Sequence, residues 1–256
     1  MSFTRKTSLR HIASASYRMI AKIRAPVDRT RDLKRAYGNL VAKLKMAMPL
    51  DEAMSRSVGG AYDVIGPIEL AVLRHAGLRQ DQHLIDVGCG SGRLAVPLSS
   101  YLTGKYSGFD VVADLIDYAR KKVGRPDWRF ETINHIGIPE PDACADMVCF
   151  FSVLTHLLHE QSYWYLEEAK RVLKPGGRMV ISFLDFSEEM HWDVFLATLA
   201  KEKRNTAEPM NVFMSRDAIE VWAGHLGLDV VEFLGARQAV EGAGALGQAV
   251  CVLQKR

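Results

Sequence analysis

Apolar and polar positions change period along this 256-residue chain. Leu9, Ile12, Ala13, Ile20 and Ile23 recur at helical spacing up to Pro26. Leu33, Ala36, Tyr37, Leu40, Val41, Leu44 and Met48 do so more regularly, up to Pro49. These stripes predict two amphipathic helices whose apolar faces need a cover: this protein, a second copy or a lipid surface. Gly59-Gly60 and Gly66-Pro67 read as a loop, and 68–75 as a helix. From residue 83 short apolar runs alternate with helical periodicity. Strands are expected over 83–87, 105–110, 128–132, 146–151, 178–184, 228–234 and 248–253. Helices are expected near 92–102, 112–123, 160–173, 188–203 and 215–226. Such alternation implies a mostly parallel sheet covered on both faces. The last run follows a Gly/Ala-rich link with no helix between, which predicts an antiparallel partner. The expected fold is α/β: a doubly wound seven-stranded, mostly parallel sheet with the last strand antiparallel and an N-terminal helical extension. The expected division is an extension over 1–55 and a main domain over 56–256.

Charge sharpens that division. Residues 1–45 hold twelve Lys/Arg against Asp28 and Asp32, whereas the remainder holds 21 basic and 28 acidic residues. A basic arm ahead of an acidic domain suggests an interacting segment. Its first twenty residues contain no acid and resemble a transit peptide in composition, but are expected to stay part of the folded chain. No apolar run has the ~18–20 residues of a membrane span. Cys89, Cys144, Cys149 and Cys251 show no zinc spacing and read as free thiols in a reducing cytosol.

The chemistry concentrates in Leu84-Ile-Asp-Val-Gly-Cys-Gly-Ser-Gly-Arg-Leu-Ala95. An apolar strand runs into Gly88, Gly90 and Gly92, and helix-competent sequence starts at Arg93. This lets backbone approach a nucleotide-like ligand closely. Arg93 stands where a dinucleotide fingerprint needs its third glycine, and no P-loop lysine is present. Asp86 can face a cationic amine, and Cys89 and Ser91 suit a tight turn. The pattern resembles the first motif of class I S-adenosylmethionine (SAM) methyltransferases. That resemblance implies SAM as cofactor, S-adenosylhomocysteine as product, and Asp86, Gly88, Cys89, Gly90, Ser91, Gly92 and Arg93 at the cofactor.

Asp110 ends the next apolar run, where a carboxylate can accept both ribose hydroxyls. Val111 and Leu115 are candidates to cover an adenine face. After the third strand, Asn134, His135 and Ile136 are candidates for the adenine edge; Asn134 stands where related enzymes carry an acid. Phe151-Ser152-Val153-Leu154 and Arg171-Val-Leu-Lys-Pro-Gly-Gly177 are similar to segments of small-molecule methyltransferases, placing Ser152 and Val153 near the cofactor. The first of these is not the motif of nucleobase amino-methyltransferases. His156, at the carboxyl end of the fourth strand, is a candidate general base or a structural histidine. Gly59 to Gly66 resembles the entry segment over the SAM methyl, making Tyr62 the second catalytic candidate. Asp185, Phe186, His191, Trp192, Phe195, Met210, Phe213 and Met214 are candidates to line an acceptor pocket.

The reading is therefore a cytoplasmic biosynthetic methyltransferase acting on an oxygen or nitrogen of a small molecule: a natural product, a sugar or a lipid-linked acceptor. No metal is expected. The arm is expected to form a lid or homodimer contact, with Arg31, Lys34, Arg35, Lys43 and Lys45 facing outward, where an anionic membrane surface is a candidate partner. An RNA or DNA methyltransferase using the arm on phosphates, a non-catalytic SAM-binding subunit and a nicotinamide oxidoreductase are the alternatives.

Overall fold

A computed structural model describes residues 29–204 and 210–256. The helix expected over 9–23 lies outside them. Among the described residues, three helices precede the sheet: α1 (Arg29–Ala47), α2 (Leu50–Ser57) and α3 (Tyr62–His75). Pro49 ends the second stripe but also opens α2, which periodicity did not separate. Gly66-Pro67 lies inside α3 instead of a loop. The reason is packing: a Cβ on Gly66 would stand 2.3 Å from the Arg93 carbonyl oxygen, so glycine lets α3 press onto the turn after the first strand.

The strands are β1 (Leu84–Val87), β2 (Tyr106–Asp110), β3 (Arg129–Thr132), β4 (Ala145–Phe150), β5 (Leu173–Asp185), β7 (Leu228–Leu234) and β8 (Ala249–Lys255), with a two-residue β6 (Phe213–Met214). Between them lie α4 (Ala95–Tyr101), α5 (Ala113–Val123), α6 (His159–Val172), α7 (Glu189–Lys203) and α8 (Arg216–Leu226). The sheet order is β3-β2-β1-β4-β5-β8-β7, and β6 adds to the end of β5. β8 runs antiparallel to both its neighbours, as the missing crossover helix required. β5 starts earlier than expected. Leu173 pairs with Ala145, and pairing resumes at Arg178 with Met147, so Lys174–Gly177 bulges within the strand instead of preceding it.

Two apolar layers sandwich the sheet. Ile85, Val148 and Ile181 point into one, and Leu84, Met147 and Val180 into the other. Successive strand residues face opposite sides, so runs buried on both faces read as continuous apolar sequence. The chain reverses direction across the sheet between β1 and β4, and ligands bind above such a switch point at the strands' carboxyl ends. α1 closes on that side. Val41 is fully buried with Met54, Val112 and Leu115, a small cluster separate from the two layers.

Candidate functional site

A cavity of about 650 Å³ opens where β1, β2 and β4 end. Its floor is the glycine turn. The Gly88 and Cys89 amides donate to the Phe109 carbonyl, so the turn is fixed to β2. Gly88 (φ +77°) and Gly90 (φ +54°) occupy the left-handed region. A Cβ on Gly88 would lie 2.3 Å from Val153, and one on Gly90 2.6 Å from Val58, so both glycines are dictated by close approach.

Two carboxylates stand beside the turn, Asp86 buried and Asp110 half-buried at the strand tip. Asp86 accepts hydrogen bonds from the Tyr106 hydroxyl (2.9 Å) and the Cys149 thiol (3.6 Å). Burial pushes its pKa up to about 7. Asp110 accepts the Gly90 amide (3.0 Å) on one oxygen and the Val112 amide (2.9 Å) on the other. Burial raises its pKa and the amides oppose the shift. Each oxygen keeps a lone pair, so Asp110 can accept two ligand hydroxyls. Val111 and Leu115 line the same wall.

The β4 end supplies Phe151, Ser152, Val153 and His156. Ser152 holds a left-handed backbone (φ +59°) and is pinned on two sides: its amide donates to Ser182 Oγ (2.8 Å), and its hydroxyl accepts from Gln248 (3.0 Å). His156 Nδ1 lies 3.0 Å from the Met210 carbonyl. A carbonyl only accepts, so Nδ1 carries the proton and Nε2 keeps its lone pair. Burial lowers the imidazole pKa, favouring this neutral form near pH 7.

Several walls were not evident in sequence. Tyr37 and Leu40 descend from α1, and the Tyr37 ring meets the His156 ring edge-on, with centroids 5.4 Å apart. Tyr165 of α6 lines the same cavity, as do Lys201, Asn211 and Gln248 from beyond β5. Arg93 lines the cavity, but its guanidinium makes a buried bidentate pair with Glu69 of α3 (2.5 and 3.3 Å) and donates to the Val58 carbonyl. Glu69 was detectable as the single acid in the apolar segment 68–75; Tyr37 was hidden within a core-like stripe.

Other expected residues stand elsewhere. Tyr62 does not line the cavity; its hydroxyl donates to the Ser91 carbonyl (2.8 Å) and burial raises its pKa, so it braces the turn. Ser91 Oγ is turned away onto the Met54 carbonyl, and Gly92 packs on Ala119. Ile133 reaches the cavity where Asn134, His135 and Ile136 were expected. Asn134 and His135 are exposed, Ile136 is buried in the core, and Lys34 of α1 donates to Asn134. Lys45 likewise pairs with Asp114 (2.8 Å), so two basic residues expected to face outward instead bind α1 to the domain. The aromatic stretch after β5 lies outside the cavity: Phe186, Trp192, Phe195 and Phe213 pack on one another. Among the described residues no three His, Cys, Asp or Glu side chains are grouped to hold a metal, and no helix is long and apolar enough to cross a membrane.

Residues 85–181 match the family described as a methyltransferase domain. Over 119 residues the chain is 29% identical to an O-methyltransferase of Penicillium expansum, and over 109 residues 29% identical to 27-O-demethylrifamycin SV methyltransferase of Amycolatopsis mediterranei. These matches cover 43% and 41% of this chain and 42% and 39% of the relatives, so they span about two fifths of the relatives' length. Among solved structures, the fold is similar to magnesium protoporphyrin IX methyltransferase from Synechocystis with bound S-adenosylhomocysteine. The TM-score is 0.61 at 14% identity, covering 88% of this chain and 98% of that one.

Proposed function

We infer that this protein, whose central domain belongs to the class I SAM-dependent methyltransferases, transfers a methyl group to an oxygen or nitrogen of a small molecule. The observation that carries the reading is Asp110: a half-buried carboxylate at the β2 tip, lining a cavity floored by glycines that admit no side chain. The donor set fits SAM. Asp110 would hold the ribose hydroxyls, Val111, Leu115 and Ile133 the adenine, and Asp86 with the Gly88–Gly90 backbone the amino-acid end. When bound, SAM supplies a methyl group on a positively charged sulfur, which leaves as the neutral thioether S-adenosylhomocysteine.

The protein's contribution is alignment and proton removal. Holding the acceptor in line with methyl and sulfur can contribute up to ~7–11 kcal/mol. His156 would take the acceptor proton at Nε2, with Met210 holding the ring in that tautomer. The acceptor would enter past Lys201, Asn211 and Gln248, a polar wall that suits a small molecule bearing hydrogen-bonding groups. Natural-product hydroxyls fit this chemistry, in line with the O-methyltransferases it is similar to. The test is methyl transfer from labelled SAM into fractionated metabolites, with Asp110→Ala as control. We expect label in a small-molecule fraction, and at least tenfold weaker SAM binding by the variant. Label appearing only in RNA, DNA or protein fractions would overturn the reading.

A further inference from the structure

Two phenol hydroxyls of cavity-lining residues have no hydrogen-bond partner among the described residues. Tyr165 is 4% exposed and Tyr37 is partly buried, yet neither hydroxyl hydrogen-bonds to any described residue. Neither is sealed in protein, because the fully buried unpaired side-chain atoms among the described residues are Trp128 Nε1 and Ser162 Oγ. The hydroxyls therefore open into the cavity. They also sense the same charge: Asp110 contributes to raising the pKa of both, after the larger effect of burial. Tyr37 comes from α1 and Tyr165 from α6, so two separate elements bring a phenol to the cavity that Asp110 lines.

A phenol hydroxyl that faces an accessible cavity without a protein acceptor is free to donate to whatever occupies it. Two such donors within the influence of one carboxylate suit a ligand that completes the set. Asp110, when ionised, can only accept hydrogen bonds, whereas each phenol can donate one. The complementary ligand carries hydroxyl donors beside oxygen or nitrogen acceptors, as a ribose joined to a purine does.

Resting on the cofactor reading above, we propose that Tyr37 and Tyr165 are cofactor contacts donating hydrogen bonds to the nucleoside end of SAM. Through Tyr37, α1 then completes the cofactor site. Tyr37 lies outside the matched methyltransferase segment of residues 85–181, so this contact is supplied by the chain's own extension. Its ring also abuts His156, so the helix that covers the nucleoside touches the candidate base. Cofactor binding should therefore draw α1 onto the domain before the acceptor site is complete.

The experiment is calorimetric titration of S-adenosylhomocysteine into the full-length protein and into Tyr37→Phe, Tyr165→Phe and the double variant. Each single change should weaken binding about three- to tenfold, and the double change by roughly the product. Because no protein partner is lost, the melting temperature without ligand should hold or rise. Ligand should also slow tryptic cleavage at Arg35 and Lys43 in the wild type, and less so in Tyr37→Phe. If the wild type binds and the double variant matches it within twofold, the proposal is wrong. It is equally wrong if only acceptor KM rises, or if the unliganded variants melt lower at unchanged affinity. Failure of the wild type itself to bind overturns the assigned function, and this proposal with it.

Discussion

His156 offers one ring nitrogen to the cavity because the other is committed to the Met210 carbonyl. His156→Ala should lower the methyl-transfer rate at saturating substrate by ~10²–10⁴ while leaving SAM affinity within a few-fold. A rate within threefold of wild type across the pH range would make His156 structural. The same burial links the residue to stability. Its folded pKa lies below the ordinary value of 6.5, so its contribution is present above that pH and is lost as pH falls, when the unfolded chain takes up the proton first. Asp86 has the opposite sign. Its folded pKa of about 7 stands above the ordinary 3.8, so the native state keeps a proton the unfolded chain releases, and stability is lost as pH rises between those values. Asp86→Asn retains an acceptor for Tyr106 but cannot ionise. Thermal melts should show it stabilised relative to wild type at pH 8 and near wild type at pH 4. Equal shifts at both pH values would remove the titration argument.

At the scale of elements, the glycine turn is held between β2 and the N-terminal helices. The Glu69–Arg93 pair joins α3 to it with side chains 2% and 11% exposed. Arg93→Met would leave Glu69 buried without its counter-charge, and urea unfolding should show a loss of ~3–5 kcal/mol. Glu69→Gln together with Arg93→Met should recover part of it; no recovery would mean the pair's charge is not what is lost. Strands and crossover helices were legible because each carries its own period, and β8's direction followed from a missing helix. The glycines and Asp110 were legible because local backbone geometry and strand topology fix their places. What sequence hid depends on tertiary contact. Gly66 reads as a turn until the Arg93 carbonyl is seen against it, and Tyr37 reads as core until α1 is laid over the cavity. Tyr62 reads as catalytic until its hydroxyl is found on the Ser91 carbonyl.

Across the whole molecule, α1 and the sheet are unequal partners. Among the described residues, the two apolar layers around the sheet contain none from α1, whose buried anchor, Val41, belongs to the small cluster with Met54, Val112 and Leu115. Losing that side chain's burial costs about 1.5–3 kcal/mol, a modest part of what two complete layers contribute. The ties from Lys34 to Asn134 and Lys45 to Asp114 are exposed and add little. Removing residues 1–48 should therefore leave a cooperatively folding domain with a slightly lower melting temperature. It would, however, take away Tyr37 and Leu40 and open one wall of the cavity to water. We expect the truncated protein to bind S-adenosylhomocysteine more weakly than Tyr37→Phe does, and to lose acceptor turnover further still, because water would then reach His156. Calorimetry, turnover and light scattering on the truncated chain test this together. Full activity at unchanged oligomeric size would mean that α1 covers the site without serving it.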